Sequence, residues 1–269
     1  MNTTIFNESN YVRHNNISPG KTTLLFLHGL GDSGLCYQEI FNDRRFDRFN
    51  IIVPDITGYG KSSVSTNGDY SFKTYISRLW KIVEETRISE LVVIGHSMGG
   101  DIATLLCASD QNNCIKKFIN VEGNITQFDL FISYEAIKAE EDGNFEHWFY
   151  DEFMKTRVFE DLGEKYPSCK RYHSSLRYCR KEAFLANAIE LSQRNTSLPG
   201  KYKSEIGQIY CSLSIPKVFC YGTESIHPET IDFLKENRLA YQVFDDAFHW
   251  LMIDKTKEFY SFLYEFVIE

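Results

Sequence analysis

A serine framed by glycines, Gly95-His96-Ser97-Met98-Gly99, is the stretch of this 269-residue chain best suited to covalent chemistry. A hydroxyl is a weak nucleophile. It needs a base to take its proton, donors for the oxyanion that forms, and an acid to hold the base in register. With glycine at about 7% of residues, Gly-x-Ser-x-Gly arises by chance in roughly one chain in ten of this length, so the pattern takes its meaning from its setting. Leu91 to Ile94 reads as a buried strand, and Ile102, Ala103, Leu105 and Leu106 resume at helical spacing. Ser97 is therefore expected on a sharp strand-to-helix turn. Glycines two positions either side remove the Cβ atoms that would collide where strand and helix approach, and the helix N-terminus favours developing negative charge.

The elements that must position this turn follow in order. Residues 3 to 15 could pair as a short hairpin turning over Glu8 to Asn10. Thr22 to Leu27 is a buried strand that runs into the glycine-rich loop His28-Gly29-Leu30-Gly31-Asp32-Ser33-Gly34. Such a loop at a strand's carboxyl end can face a backbone N–H to a ligand, although His28-Gly29 also reads as a plain tight turn. Phe49 to Pro54 is the next strand and Tyr70 to Thr86 an amphipathic helix. The central strand, a helix to about Asp110 and the strand Ile115 to Val121 complete a first half that points to a mainly parallel sheet covered on both faces. From about Ile125 to Glu205 no strand is evident. Helical segments rich in Phe, Tyr and Trp break at Gly143, Gly163, Pro167 and Pro199-Gly200. Strand and helix then alternate again over Lys217 to Tyr221, His227 to Asn237, Ala240 to Phe244 and Thr256 to Val267. The expected division is an α/β core over 1–124 and 206–269 with a helical cap over 125–205.

Composition narrows the function. A hydrophobic share of 43%, a charged share of 25% and a net charge of −8 suit a globular protein and argue against nucleic acid or an anionic membrane as partner. The N-terminal stretch lacks a cationic start followed by an apolar run, so no signal peptide is expected. Seven cysteines without metal-type spacing fit reduced thiols and a cytoplasmic location. With no metal constellation and no phosphate-cradling Gly-rich Lys motif, no metal or cofactor is expected.

Taken together, His28-Gly29, Pro54-Asp55-Ile56-Thr57-Gly58-Tyr59-Gly60-Lys61-Ser62, Gly95-His96-Ser97-Met98-Gly99-Gly100 and Phe248-His249-Trp250 resemble the α/β-hydrolases with a helical cap, in the right order over nearly the whole chain. The resemblance implies Ser97 as nucleophile and His249, between the last strand and last helix, as its general base. It also implies the backbone N–H groups of Leu30 and Met98 as the oxyanion hole. The usual acid position of the family, three residues after Gly222, holds Ser225 here. Glu122, after the sixth strand of the family's core, is the leading acid; Glu224 is the alternative, with Asp246 and Asp129 behind them. Asp55 reads as capping its own turn, and Asp101 as a first-turn residue complementing the helix dipole.

A serine, where related dehalogenases and epoxide hydrolases carry aspartate, implies acyl transfer to water on a small molecule bearing an acyl group, with a small or medium ester leading. The cap stretch Phe145 to Phe153 could line an apolar pocket or simply bind cap to core. C–C bond hydrolases, thioesterases and aminopeptidases that resemble this family use similar parts, and a non-catalytic receptor of this fold is the reading from another class. Oligomeric state stays open.

Overall fold

Uninterrupted apolar runs make the centre of the molecule. The computed structural model describes residues 1–6 and 10–269. Strands β1 (Asn2–Phe6), β2 (Asn10–His14), β3 (Thr23–Leu27), β4 (Asn50–Pro54), β5 (Leu91–His96), β6 (Ile115–Val121), β7 (Lys217–Gly222) and β8 (Tyr241–Phe244) join in one sheet of order β1-β2-β4-β3-β5-β6-β7-β8. The six strands from β4 to β8 run parallel, and β1 and β2 are antiparallel at the edge. Every residue of β3, β4 and β5 is buried whichever way its side chain points, so both faces of the sheet are covered. The N-terminal hairpin pairs Phe6 with Asn10. Its expected turn lies, apart from Asn10, outside the described residues.

Between the strands, α1 (Phe72–Glu85) begins at Ser71, whose side chain accepts from the Thr74 N–H, and it buries Phe72, Tyr75, Leu79, Ile82 and Val83 along one face. Helix α2 (Met98–Ala108) starts directly after Ser97. From Gln127 to Ser212, between β6 and β7, the chain is helical without a strand among the described residues. It opens with α3 (Phe131–Glu141), which ends where Gly143 adopts a positive φ of 69°. A run from Phe145 follows, whose stretch Trp148–Leu162 winds as a π-helix. Gly163 was expected to break this run. Instead, with φ near −66°, it carries one more turn to Lys165. Pro167 opens the helix Pro167–Leu176, where its missing N–H costs nothing. Helices Lys181–Thr196 and Glu205–Ser212 complete the insertion. After β7 come Pro228–Glu236, then β8, the short Leu251–Asp254 and the final Thr256–Ile268. No helix among the described residues is long and apolar enough to cross a membrane.

Candidate active site

The carboxyl ends of parallel strands in an open α/β sheet are where loops can converge on a ligand, and here those of β3, β5, β6, β7 and β8 border one cavity of about 670 Å³. Ser97 follows β5 with φ 52° and ψ −126°, a conformation that costs a non-glycine residue about 1–3 kcal/mol. Its neighbours impose it. Ser97 N–H donates to the Val121 carbonyl at 2.9 Å, and Gly100 N–H donates to the Ser97 carbonyl at 2.6 Å. A Cβ on Gly95 would overlap the Gly99 carbonyl, and one on Gly99 the Leu27 carbonyl, so both glycines permit the close approach expected of them. The Ser97 hydroxyl caps no amide of α2 and lines the cavity together with His249.

His249 lies in the loop after β8, its side chain about a quarter exposed, and its Nδ1–H donates to Glu122 Oε2 at 2.6 Å. That bond leaves Nε2 as the ring's acceptor nitrogen. Glu122 follows β6, is also left-handed at φ 50°, and is buried. A carboxylate in that setting needs donors. Gly222 N–H donates to Oε1 at 2.7 Å, and the Ser225 hydroxyl lies 2.7 Å from Oε1 and 2.9 Å from Oε2.

Glu224 turns elsewhere: its carboxylate accepts from the Tyr166 hydroxyl at 3.2 Å and pairs loosely with Lys165 at 3.6 Å, its side chain 41% exposed. Asp129 caps the turn after β6, accepting from the Ile125 and Thr126 N–H groups and from the Thr230 hydroxyl. Asp246 is exposed, with its N–H on the Thr223 hydroxyl. Thus of the four acids weighed, only Glu122 meets the imidazole among the described residues.

Met98 N–H opens α2, where a helix offers its first amides no partner. Leu30 N–H leaves the loop after β3, and neither amide donates to a backbone carbonyl among the described residues. Gly29 brings that loop against the serine, since a Cβ there would stand 3.0 Å from Ser97 Cβ. His28 is a structural link: its Nδ1–H donates to the Gly29 carbonyl, Nε2 accepts from Ile56 N–H, and burial lowers its pKa.

Two histidines stand beside each other, the rings of His96 and His249 being 4.6 Å apart. Burial above all holds His96 well below the ordinary imidazole value, and its Nε2–H donates to the His249 carbonyl at 3.0 Å. It fixes the backbone that carries His249. Asp101 stands in the first turn of α2, as expected. It is fully buried, accepts from the Asn124 N–H and side-chain amide and from Asn195 Nδ2, and burial lifts its carboxyl to about 7. Asp55 does cap its turn through Lys61 N–H, and it also forms a buried ion pair with Arg13 at 2.5 Å and accepts from Gly34 N–H.

Sequence reasoning missed the aromatic frame of the site. The Trp250 indole N–H donates to Asp32 Oδ2 at 2.9 Å, and its ring packs 4.6 Å from that of Tyr172. The Tyr172 hydroxyl donates to the Leu30 carbonyl at 2.9 Å, and Tyr166 stacks on Phe248 at 4.3 Å. The insertion thereby grips both the Leu30 loop and the His249 loop. Trp250 adjoins His249, which was the available signal; nothing local pairs it with Asp32. Phe128, Phe131, Ile132, Leu191 and Phe248 make much of the cavity wall apolar, and Arg157 sits at that wall, held by Glu135 and lying over Phe131. Within Phe145 to Phe153 only Phe153 lines the cavity; Phe145, Trp148 and Phe149 are buried against one another and Phe184. No cluster of three or more His, Cys, Asp or Glu suited to a metal occurs among the described residues.

A family model described as alpha/beta hydrolase fold matches residues 22–256. The magnesium-chelatase 30 kDa subunit of Rhodobacter capsulatus is 37% identical over 83 residues, which are 31% of this chain and 29% of that protein. Lipase 1 of Psychrobacter immobilis is 31% identical over 86 residues, 32% of this chain and 26% of the lipase. The match thus spans less than a third of either relative. A carboxylesterase structure from the thaumarchaeon Nitrososphaera gargenis superposes with a TM-score of 0.75 over 99% of this chain and 98% of the other at 17% identity, a likeness of fold.

Proposed function

The chain belongs to the alpha/beta hydrolase fold family, and from that premise we propose that it is a serine hydrolase that cleaves carboxylic esters through an acyl-enzyme. The observation that carries this reading is the 2.6 Å bond from His249 Nδ1 to a buried Glu122 beside the cavity that Ser97 lines. In this reading Ser97 attacks the ester carbonyl while His249 Nε2 takes its proton, and Glu122 holds the imidazole tautomer and offsets the charge that appears on the ring. The oxyanion settles on the N–H groups of Leu30 and Met98, each such donor contributing about 3–4 kcal/mol in comparable enzymes. The alcohol leaves with the proton from His249. Water then adds to the acyl-enzyme by the same steps in reverse order, releasing the acid and restoring Ser97.

The apolar wall built by Phe128, Phe131, Leu191 and Phe248 favours an uncharged, small or medium acyl group, for which a volume of about 670 Å³ is ample. Residues 125–205 act as the cap over the core formed by 1–124 and 206–269, the Tyr172 and Tyr166 contacts holding it to the catalytic loops.

The test is labelling with a fluorophosphonate, which captures a serine only where base and oxyanion donors are assembled. The adduct is expected on Ser97 by mass spectrometry, and it should vanish in Ser97→Ala and His249→Ala. A folded wild-type chain that stays unlabelled would sink the catalytic reading and leave ligand binding in its place.

A further inference from the structure

Ser225 stands where the family more often carries its acid, and the structure gives its hydroxyl an occupation: it reaches both oxygens of Glu122, at 2.7 Å and 2.9 Å. A serine has one proton to give. Glu122 Oε2 already accepts from His249, whereas Oε1 takes Gly222 N–H at 2.7 Å, so the shorter Ser225 contact completes the Oε1 side. Two donors then hold one oxygen and leave the other to the imidazole. Ser225 is itself held, because its N–H and that of Ile226 both return to the Gly222 carbonyl at 3.4 Å and 3.3 Å and close the turn after β7.

Glu122 needs this support more than an aspartate in a short loop would. Its side chain has one more rotatable bond, and it crosses from the end of β6 to the end of the neighbouring β7. We propose that Ser225 is a positioning residue for the triad, its hydroxyl holding the Glu122 carboxylate so that Oε2 meets His249 Nδ1. This rests on the reading of Ser97, His249 and Glu122 as the triad. It makes the serine at the usual acid position part of the machinery rather than a trace of lost catalysis.

The experiment is a double-mutant cycle on hydrolysis of p-nitrophenyl butyrate, with fluorophosphonate labelling of each variant and thermal midpoints as the check on folding. Ser225→Ala is expected to lower kcat/KM on the order of 10- to 100-fold, the range for losing a hydrogen bond to a charged group, chiefly through kcat. In a Glu122→Gln background the same change should cost less than about threefold, because the carboxylate it serves is gone. Ser225→Thr keeps the hydroxyl and restores the rate, while the equally bulky Ser225→Val does not. A wild type that labels on Ser97, with Ser225→Ala equally costly in both backgrounds or Thr and Val equally active, overturns the positioning role and leaves the triad standing. An unlabelled wild type overturns both.

Discussion

Replacing Glu122 by Gln changes one oxygen for an NH₂ and almost nothing in shape, which makes it a severe test of the proposed triad. In the wild type Oε1 accepts from Gly222 N–H and Ser225, and Oε2 accepts from His249 Nδ1–H at 2.6 Å. The Gln carbonyl would keep the first pair of donors. Its NH₂ would then face Nδ1, and two donors cannot share that gap, so the ring proton moves to Nε2. Imidazole in that tautomer has no lone pair for the serine proton. The analogous Asp→Asn change in the best-studied triad lowers kcat about 10⁴-fold with geometry intact, and a loss of roughly 10³- to 10⁴-fold is expected here, equivalent to about 4–5.5 kcal/mol of transition-state stabilisation. The assay is p-nitrophenyl butyrate hydrolysis with the thermal midpoint measured alongside. Glu224→Gln serves as the control: its carboxylate is 41% exposed and meets only Tyr166 and Lys165 among the described residues, so a change of about twofold or less is expected. Near-normal turnover in Glu122→Gln together with collapse in Glu224→Gln would refute the reasoning.

Other outcomes follow from the same contacts. Gly99→Ala places a Cβ on the Leu27 carbonyl, backbone against backbone, and should lower the thermal midpoint by the equivalent of roughly 3 kcal/mol or more; an unchanged midpoint would deny the close approach. Arg13→Leu strips the partner from fully buried Asp55 and should cost about 3–5 kcal/mol in urea unfolding, whereas a loss under about 1 kcal/mol would mean that the carboxylate needs no counter-charge. Burial raises the Asp101 carboxyl from 3.8 to about 7, so the folded chain keeps a proton that the unfolded chain releases. Its contribution to stability is whole below the unfolded value and is lost as pH rises through about 7. Asp32, Asp129 and Asp254 are raised in the same direction, so the check is a difference: Asp101→Asn should flatten the fall in urea midpoint between about pH 5 and about pH 8, and equal slopes would remove Asp101 as its source.

What the sequence made legible had local causes. Ile115–Val121 emerges with the bounds read for it, because turn residues flank it and its apolar positions Ile115, Phe118, Ile119 and Val121 are all buried, while Lys116 near its start is exposed. The Ser97 turn was legible from glycine spacing, which reflects contacts within a few residues. Gly163 misled because a glycine in a helical run weakens the helix without ending it. The 3₁₀ segments Gly34–Asn42 and Arg44–Arg48 and the turn Leu251–Asp254 carry too little periodicity to be seen, and a rare π stretch inside a helical run is not set apart by its hydropathy. The first-turn place of Asp101 was legible but its burial was not, because its partner Asn195 is 94 residues away and burial of a carboxylate depends on the partner that the fold delivers.

The same reasoning explains why Ser225 read as a deficit in the sequence and as a donor in the structure. Family position says where an acid usually stands; hydrogen-bond accounting says what a buried carboxylate requires wherever it stands. Glu122 adopts a left-handed backbone at the end of β6, as Ser97 does at the end of β5, and each such conformation costs on the order of 1–3 kcal/mol. The two residues are tied through one strand ladder, because the Ser97 N–H bonds to Val121, the residue before Glu122, and the Glu122 N–H bonds to Cys220 in β7. Strain at adjacent strand ends persists only where the surrounding sheet over-determines it. A sheet that holds both residues so, while Gly222 and Ser225 hold the Glu122 side chain, concentrates its constraint on the serine, the imidazole and the carboxylate rather than on the cavity wall. Acyl preference should therefore respond to changes at Phe128, Phe131 or Leu191 while the rate of fluorophosphonate capture stays near that of the wild type, and wall substitutions that abolished capture in a folded chain would show that the two are not separable.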